Sequence, residues 1–266
     1  MEQKINMKSK KSMTFIVIMH YTKLILRTIL FLTATTVYIF SRIFNADQLF
    51  ENFIGNTFLL ALIWVFFAIG MILRFFPSKA ESMGCQKQFE KNYKPLIQDV
   101  EKEKHYVQPW IVTFSVFSAW IALNAVIGIL YYTHIIDAGI LLLISLAYSV
   151  CDIICILFFC PFQTWFMKNK CCTTCRIYNW DYAMMFTPLI YIPTLYTWSL
   201  LALALILLAK WEYLYHKHSE RFSDKCNASL SCKNCKEKLC HHKKQLRSFL
   251  RKRNFNLNGN TLFKKK

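Results

Sequence analysis

Long stretches without a charged residue alternate with short charged connections along this chain. No Asp, Glu, Lys or Arg occurs in residues 52–73, 106–136 or 182–209. An α-helix advances about 1.5 Å per residue, so about 20 apolar residues cross the hydrocarbon core of a bilayer. Each stretch is long enough to span a membrane. The pattern therefore predicts an all-α fold, a polytopic membrane helix bundle.

We predict four to five spans in this bundle. They lie at about Leu24–Phe44, Phe53–Phe76, Pro109–Tyr132 and Ala138–Phe159, with a fifth within Tyr182–Trp211. The first span is the weakest, because Arg27 and Arg42 leave only fourteen uncharged residues between them and must extend towards the two interfaces.

Three regions follow from this pattern. Residues 1–23 form a basic amino-terminal lead-in, and we interpret Met13–Tyr21 as an interfacial helix within it. Residues 24–211 form the transmembrane domain, with a charged connection at 77–108 and a cysteine-rich loop at 161–181. Residues 212–266 form a basic, cysteine-rich tail.

Composition agrees with a membrane protein, since 55% of the 266 residues are hydrophobic and 16% are aromatic. The sequence contains no P-loop, no dinucleotide glycine fingerprint and neither of the common hydrolase motifs H-E-x-x-H and G-x-S-x-G. This lowers the expectation of nucleotide-driven or hydrolytic chemistry. Whether the protein is an enzyme stays undecided.

Positive charge orients the predicted bundle. The amino terminus carries four lysines before residue 12, and the 77–105 connection carries six. Residues 45–52 and 133–137 contain no Lys or Arg. By the positive-inside rule we expect the amino terminus and the long connection in the cytoplasm.

The tail does not fit five simple crossings. Residues 210–266 contain 16 Lys and Arg against 4 Asp and Glu, a net charge of +12, which favours the cytoplasm, whereas five spans would place the tail outside. Pro188 and Pro193 interrupt the last apolar stretch, and proline removes a backbone donor and kinks a helix. One kinked span with an external tail and a re-entrant element with a cytoplasmic tail are both open. We favour the second, with both cysteine clusters on the cytoplasmic face.

Seven of the eleven cysteines flank the last apolar stretch in two clusters. They are Cys171, Cys172 and Cys175 before it, and Cys226, Cys232, Cys235 and Cys240 after it. In the tail cluster a two-residue gap lets two thiolates turn back on one ion, and His241 and His242 follow at once. This spacing predicts a metal site.

The kind of site stays open on the sequence alone. Four thiolates can hold an iron-sulfur cluster or a structural zinc ion. Cys172 and Cys175 form a C-x-x-C pair that suits a dithiol redox couple, and disulfides explain the clusters if that face is oxidising. The remaining alternative is that the two clusters share no site.

A second group of candidate residues lies near the end of the fourth span. Cys151 and Cys155 are four residues apart and share a helical face, with Asp152 beside them and Cys160 just beyond. An ionisable residue inside a membrane helix usually faces the bundle interior and marks function. The alternatives are that Asp152 reaches headgroup water and that the cysteines are only small apolar side chains.

Two segments resemble those of a group of uncharacterised prokaryotic membrane proteins. They are CPFQTWFMKNKCCTTCRIYNWDYAMMFTP, from Cys160 to Pro188, and CKNCKEKLC in the tail. The resemblance covers roughly the last 110 residues. It implies that both clusters belong to one site and carries no established activity.

Three function classes remain. In the first, the cysteines hold an iron-sulfur cluster or cycle as dithiols and pass electrons to a membrane-embedded acceptor. In the second, Asn124, Asp152 and His134 line a transport path. In the third, zinc folds the tail into a docking module for a partner protein. We expect the basic tail to attract anionic lipid rather than nucleic acid, because the lipid lies nearer to it.

Overall fold

The computed structural model describes residues 15–46, 55–77, 83–96, 110–162, 166–167 and 174–231. Regular structure within these ranges is helical, and no strand occurs among them. The α-helices are α1 (Phe15–Ile43), α2 (Thr57–Leu73), α3 (Met83–Gln88), α4 (Trp110–Tyr132), α5 (Ala138–Leu157), α6 (Asp181–Phe186) and α7 (Leu195–Lys217). Short 3₁₀ helices lie at Glu90–Asn92, Arg176–Trp180, Thr187–Tyr191, Ser219–Phe222 and Ala228–Leu230.

Four of these helices, α1, α4, α5 and α7, are long and apolar enough to cross a membrane. The prediction of an all-helical bundle with at least four membrane-length helices is confirmed. The second predicted span corresponds to α2, which has 17 residues. α1 begins at Phe15, so residues 15–23 are the first turns of this helix and not a separate lead-in helix.

Polar residues fix the starts of three helices. The Asn56 side chain accepts a hydrogen bond from the Leu59 N–H, and the Asp137 side chain accepts one from the Ile140 N–H. Thr194 and Thr197 form a reciprocal capping box at the start of α7. Each cap satisfies backbone donors that a helix start leaves without a partner.

Helices α1 and α5 pack antiparallel. Val17, near the start of α1, packs in one cluster with Ile156 and Leu157 at the end of α5. At the other end of the same pair, Arg42 bonds Asp137 just before α5 begins. The start of α1 and the end of α5 therefore define one end of the bundle, which we call the cysteine end because Cys175 also lies there.

Helices α2 and α7 run in the same direction, towards the cysteine end. Trp64 donates to the Ser199 hydroxyl at 2.8 Å near the start of α7. Further along, the Lys210 ammonium donates to the Phe75 carbonyl at 2.5 Å. Glu212, near the end of α7, bonds Arg176 next to Cys175, so both helices finish at the cysteine end.

The chain between α5 and α7 forms a broken segment, residues 176–191, in which α6 lies between two 3₁₀ helices. Its first residue, Arg176, bonds Glu212 near the end of α7. Near its last residue, the Ile190 carbonyl accepts from Trp198 at the start of α7. α7 advances about 21 Å between these two residues, so the broken segment runs most of the depth of the bundle.

The apolar stretch Tyr182–Trp211 therefore contains two antiparallel legs. The first ends at Tyr191, and the second is α7. Because α7 returns to the cysteine end, Cys175 and the start of the tail lie at the same end of the bundle. This is the geometry that a re-entrant or doubly crossing element requires.

Two glycines allow the broken segment to approach its neighbours closely. A Cβ atom added at Gly70 of α2 would lie 2.5 Å from the Tyr182 hydroxyl oxygen, and one added at Gly128 of α4 would overlap the Tyr191 ring. The Tyr191 hydroxyl donates to the Asn124 carbonyl at 2.9 Å beside Gly128. The absence of a side chain at Gly128 is what lets this bond form.

Replacing Gly128 by Ala should lower the thermal stability of the detergent-solubilised protein. The added methyl group displaces Tyr191, and overpacking of this kind costs about 1–3 kcal/mol. Gly55→Ala is the matched control, since a Cβ there meets nothing within 4 Å. Circular dichroism during heating measures both. Equal melting temperatures for the two variants would contradict the close approach of Tyr191.

Candidate functional site

Cys175 lies directly before the broken segment and is 4% exposed. It packs in a cluster with Val116 of α4, Met167 and Ile177. Cys175 is therefore anchored in the bundle by apolar contacts at the cysteine end.

Cys226, the first cysteine of the tail cluster, is 1% exposed. Its carbonyl accepts from the Leu96 N–H at 2.9 Å, and the Ala228 N–H donates to the Lys94 carbonyl at 2.8 Å. Asn227 between them is fully buried and donates to the Lys87 and Arg221 carbonyls, each at 2.9 Å. The start of the tail is thus held against the long connection by backbone pairing and a buried amide.

The same connection joins the tail to the broken segment. The Asn179 side-chain amide donates to the Gln88 side-chain oxygen at 3.1 Å, and both residues are buried. Phe89 packs edge-on against Trp211 of α7. Residues 83–96 therefore bridge the Cys175 segment and the Cys226 segment.

Cys85 is a residue that the cysteine-cluster argument missed. It lies in α3, within the connection that bridges the two cysteine-bearing segments. It stands more than sixty residues from the nearest other cysteine in the sequence.

Most of the predicted ligands lie outside the described residues. These are Cys171, Cys172, Cys232, Cys235, Cys240, His241 and His242. Within the described part of the chain, no group of three or more His, Cys, Asp or Glu side chains is placed to hold a metal ion. Metal binding by the cysteines stays a prediction.

Three ion pairs with largely buried arginine side chains near the cysteine end form what we call the charged layer. They are Arg27–Asp152, Arg74–Asp181 and Arg176–Glu212. Each joins residues of different elements, and each arginine is at most 8% exposed along its side chain. Charges inside a membrane-length bundle are expensive unless paired, so this layer is a functional-site candidate by default.

The Arg27–Asp152 pair connects α1 to α5. One Arg27 nitrogen bonds the Asp152 carboxylate at 2.8 Å and the Ser149 carbonyl at 2.8 Å. The guanidinium also stacks over the Phe67 ring, 5.4 Å from its centre. Arg27 therefore points into the bundle, and the prediction that it extends towards an interface is wrong.

The second pair connects α2 to the broken segment. Arg74 bonds Asp181 at 2.5 Å and stacks over the Tyr182 ring at 4.6 Å. Asp152 lies within electrostatic range of both Arg74 and Asp181. The first two pairs therefore form one network of four charges.

The third pair connects the broken segment to α7 beside Cys175. Arg176 bonds one Glu212 oxygen at 2.7 Å, while Trp180 donates to the other at 2.7 Å. Arg176 also stacks over Tyr215 at 4.4 Å. A fixed positive charge thus lies in the residue next to Cys175.

The remaining candidates of α5 lie near the same end. Cys151 is exposed, whereas Cys155 and Cys160 are half-buried. Asp152 is the partner of Arg27 described above.

The transport candidates at the opposite end have other partners. The Asn124 side-chain amide donates to the Trp120 carbonyl at 2.9 Å within its own helix. His134 lies in the turn before α5 with a positive φ of 59°. Partial burial opposes ionisation of nearby Asp137, but hydrogen bonds from Ile140, Tyr38 and Arg42 hold the pKa of its carboxyl below the ordinary value.

Comparison with family models, curated proteins and solved structures finds no match to this chain. The functional argument therefore rests on the geometry of the site.

Replacing Arg27 by Met should destabilise the protein by about 3–5 kcal/mol, because it leaves the Asp152 carboxylate buried without its cation. Adding Asp152→Leu should recover much of this loss, since two apolar side chains then replace the pair. Denaturant unfolding in detergent measures both variants.

Arg42→Met is the matched control, because it breaks a pair between the same two helices at a half-exposed position. It should change the unfolding free energy far less than Arg27→Met. A double variant no more stable than Arg27→Met alone would show that the two charges are not coupled.

Proposed function

We propose that this protein is a multi-pass membrane protein whose two cysteine clusters form one metal site at the cysteine end. The site holds an iron-sulfur cluster and passes electrons between a soluble donor and an acceptor in the membrane. One observation carries the proposal: the broken segment and α7 return the chain so that Cys175 and Cys226 lie at the same end of the bundle.

The anchoring of both segments supports a shared site. Cys175 is fixed by the apolar cluster before the broken segment, and Cys226 by its backbone pairing with the connection. The unassigned ligands lie close in sequence to these anchors, from four residues before Cys175 to sixteen after Cys226. Each residue of extended chain spans roughly 3.3–3.6 Å, so the proposal requires the chain to extend from both anchors towards one ion.

Positive charge around the cysteines supports thiolate ligands. Arg176 is adjacent to Cys175, and the tail cysteines are interspersed with lysines. Neighbouring cations favour the thiolate over the thiol, and the thiolate is the form that binds metal.

The second candidate function is a structural zinc site that folds the tail into a docking module. The observation that favours it is Asn227, whose buried side chain already fixes the first tail residues to the connection. In this alternative the zinc ion continues the same anchoring into residues 232–242, and a partner protein binds the folded tail.

The proposal places the cysteine end in the cytoplasm. The lysine-rich connection and the start of the basic tail pair with each other there, and the positive-inside rule assigns such segments to that side. The tail then faces the anionic leaflet, which attracts juxtamembrane basic segments by about 1 kcal/mol per residue.

Metal analysis and visible absorption of anaerobically purified protein test the metal site. We expect the protein to contain iron and to show a visible absorption band. The band should bleach on reduction, because the electron enters the iron-sulfur cluster itself. Zinc without a visible band would support the docking alternative, and neither metal above background would reject both.

Cysteine variants test whether the two clusters share the site. Cys175→Ser and Cys235→Ser should each lose most of the bound metal, whereas Cys151→Ser, an exposed cysteine of α5, should retain it. If Cys235→Ser loses the metal and Cys175→Ser keeps all of it, the tail binds the metal alone.

Epitope tags test the topology. Tags at positions 6 and 262 should both react with antibody only after the cells are permeabilised, because an even number of crossings returns the tail to the side of the amino terminus. A tag inserted after Ile135, in the turn between α4 and α5, is the control and should react in intact cells. A tag at position 262 that reacts in intact cells would contradict the return of the chain through the broken segment.

A further inference from the structure

A cavity lies between two packed pairs of helices. α1 packs against α5, and α2 packs against α7. Side chains of all four helices line the space between the pairs, and Phe186 and Leu189 of the broken segment form a further wall. The cavity has a volume of about 80 Å³, whereas one water molecule needs about 10–15 Å³ on the same measure. The space is therefore large enough for a ring of several atoms.

The wall of this cavity is apolar and rich in aromatic rings. Trp64, Phe67 and Phe186 all line it. The Phe67 and Phe186 rings meet edge to face, with their centres 5.3 Å apart. The hydroxyl of Ser145, a polar residue of the wall, already donates to the Met185 carbonyl at 2.6 Å. Such a wall suits a flat, uncharged ring.

Arg27 provides a hydrogen-bond donor beside the end of the cavity nearest the cysteine end. Leu30 and Ala34 of α1 line the cavity, and Arg27 lies on the same face of that helix, three residues before Leu30. Its guanidinium stacks on the ring of Phe67, which forms part of the wall. Among the described residues, the Arg27 Nε–H is buried and has no hydrogen-bond partner. A buried donor on a charged group is costly to leave in this state, which points to an acceptor from outside the chain.

We infer that the cavity binds the ring of a lipid-soluble quinone, with one ring carbonyl accepting a hydrogen bond from the Arg27 Nε–H. Arg27 lies close to the middle of α1, so its acceptor must enter the apolar interior of the membrane. A quinone carries carbonyl oxygens on an apolar ring. The ester carbonyls of phospholipids, by contrast, stay at the boundary with the headgroups.

The two ends of the cavity differ in burial, which orients the ligand. Phe67 and Phe186 are buried, whereas Leu59 and Thr197, near the starts of α2 and α7, are half-buried. α2 advances about 12 Å from Leu59 to Phe67. The ring therefore lies at the closed end beside Arg27, and the apolar chain of the quinone leaves the bundle near the starts of α2 and α7.

A photoreactive azido-benzoquinone with a decyl chain is the probe for this site. The full-length protein is reconstituted in vesicles of dimyristoyl phosphatidylcholine, irradiated with the probe, digested and mapped by mass spectrometry. We expect labelling within residues 59–67 and 186–200, which contribute to the wall. Excess decyl-benzoquinone should prevent this labelling. Decylbenzene has the same chain and a ring without carbonyls, and it should need a concentration at least about tenfold higher, because it offers the charged donor no acceptor.

Ala34→Leu tests the cavity itself. Ala34 is fully buried in the wall, so the larger side chain occupies the space of the ligand and should lower the labelling severalfold. Ala122→Leu makes the same change at an exposed position of α4 and should leave the labelling unchanged. Should Ala34→Leu fail to fold, the competition between the two decyl compounds in the wild-type protein still decides the question.

The wild-type protein alone is sufficient to overturn the inference. Equal competition by decylbenzene and decyl-benzoquinone would show that the cavity takes any hydrocarbon chain of the bilayer. Labelling that avoids both wall segments would reject the site. The role of the quinone as the acceptor in the membrane rests on the proposed function, but its binding does not. Metal analysis of the same preparation separates the two: metal without this labelling rejects the quinone site alone, and labelling without metal rejects the metal site alone.

Discussion

A guanidinium inside an apolar bundle requires a carboxylate at the same depth. This requirement determines how the elements pack at the cysteine end. Arg27 joins α1 to α5, Arg74 joins α2 to the broken segment, and Arg176 joins that segment to α7. Removing one partner of such a pair leaves a buried charge uncompensated. The three pairs therefore set the depth of α1 relative to α5, and that of α2 and α7 relative to the broken segment.

The broken segment depends on these ion pairs, because its backbone is irregular at membrane depth. Such backbone is tolerated only where protein covers it and satisfies its polar groups. Ser145 of α5 donates to the Met185 carbonyl at 2.6 Å, and Thr187 donates to the Ala183 carbonyl at 2.6 Å. The ion pairs at the start of the segment and the close contact of Tyr191 at its end hold it where these bonds can form.

The sequence predicted the membrane-length helices because hydrocarbon imposes a length that uncharged windows record directly. It did not predict the charged layer, because the partners Arg27 and Asp152 lie 125 residues apart. Each also had an explanation within its own span: Arg27 as extending to an interface, and Asp152 as reaching headgroup water. Pro188 and Pro193 indicated a break, but the direction of the chain beyond it depends on contacts with α4 and α7.

The charged layer also bears on the metal site that we propose for the cysteines. An electron arriving at a thiolate-bound cluster adds a negative charge, which fixed nearby cations stabilise, whereas zinc does not change its charge. Arg176 is such a cation, since Glu212, Trp180 and Tyr215 hold it in one position beside Cys175. The Glu212 carboxylate offsets this charge, and the same pair joins the broken segment to α7 in both proposals. Arg176 is therefore compatible with the redox proposal and with the docking alternative, and the metal content distinguishes them.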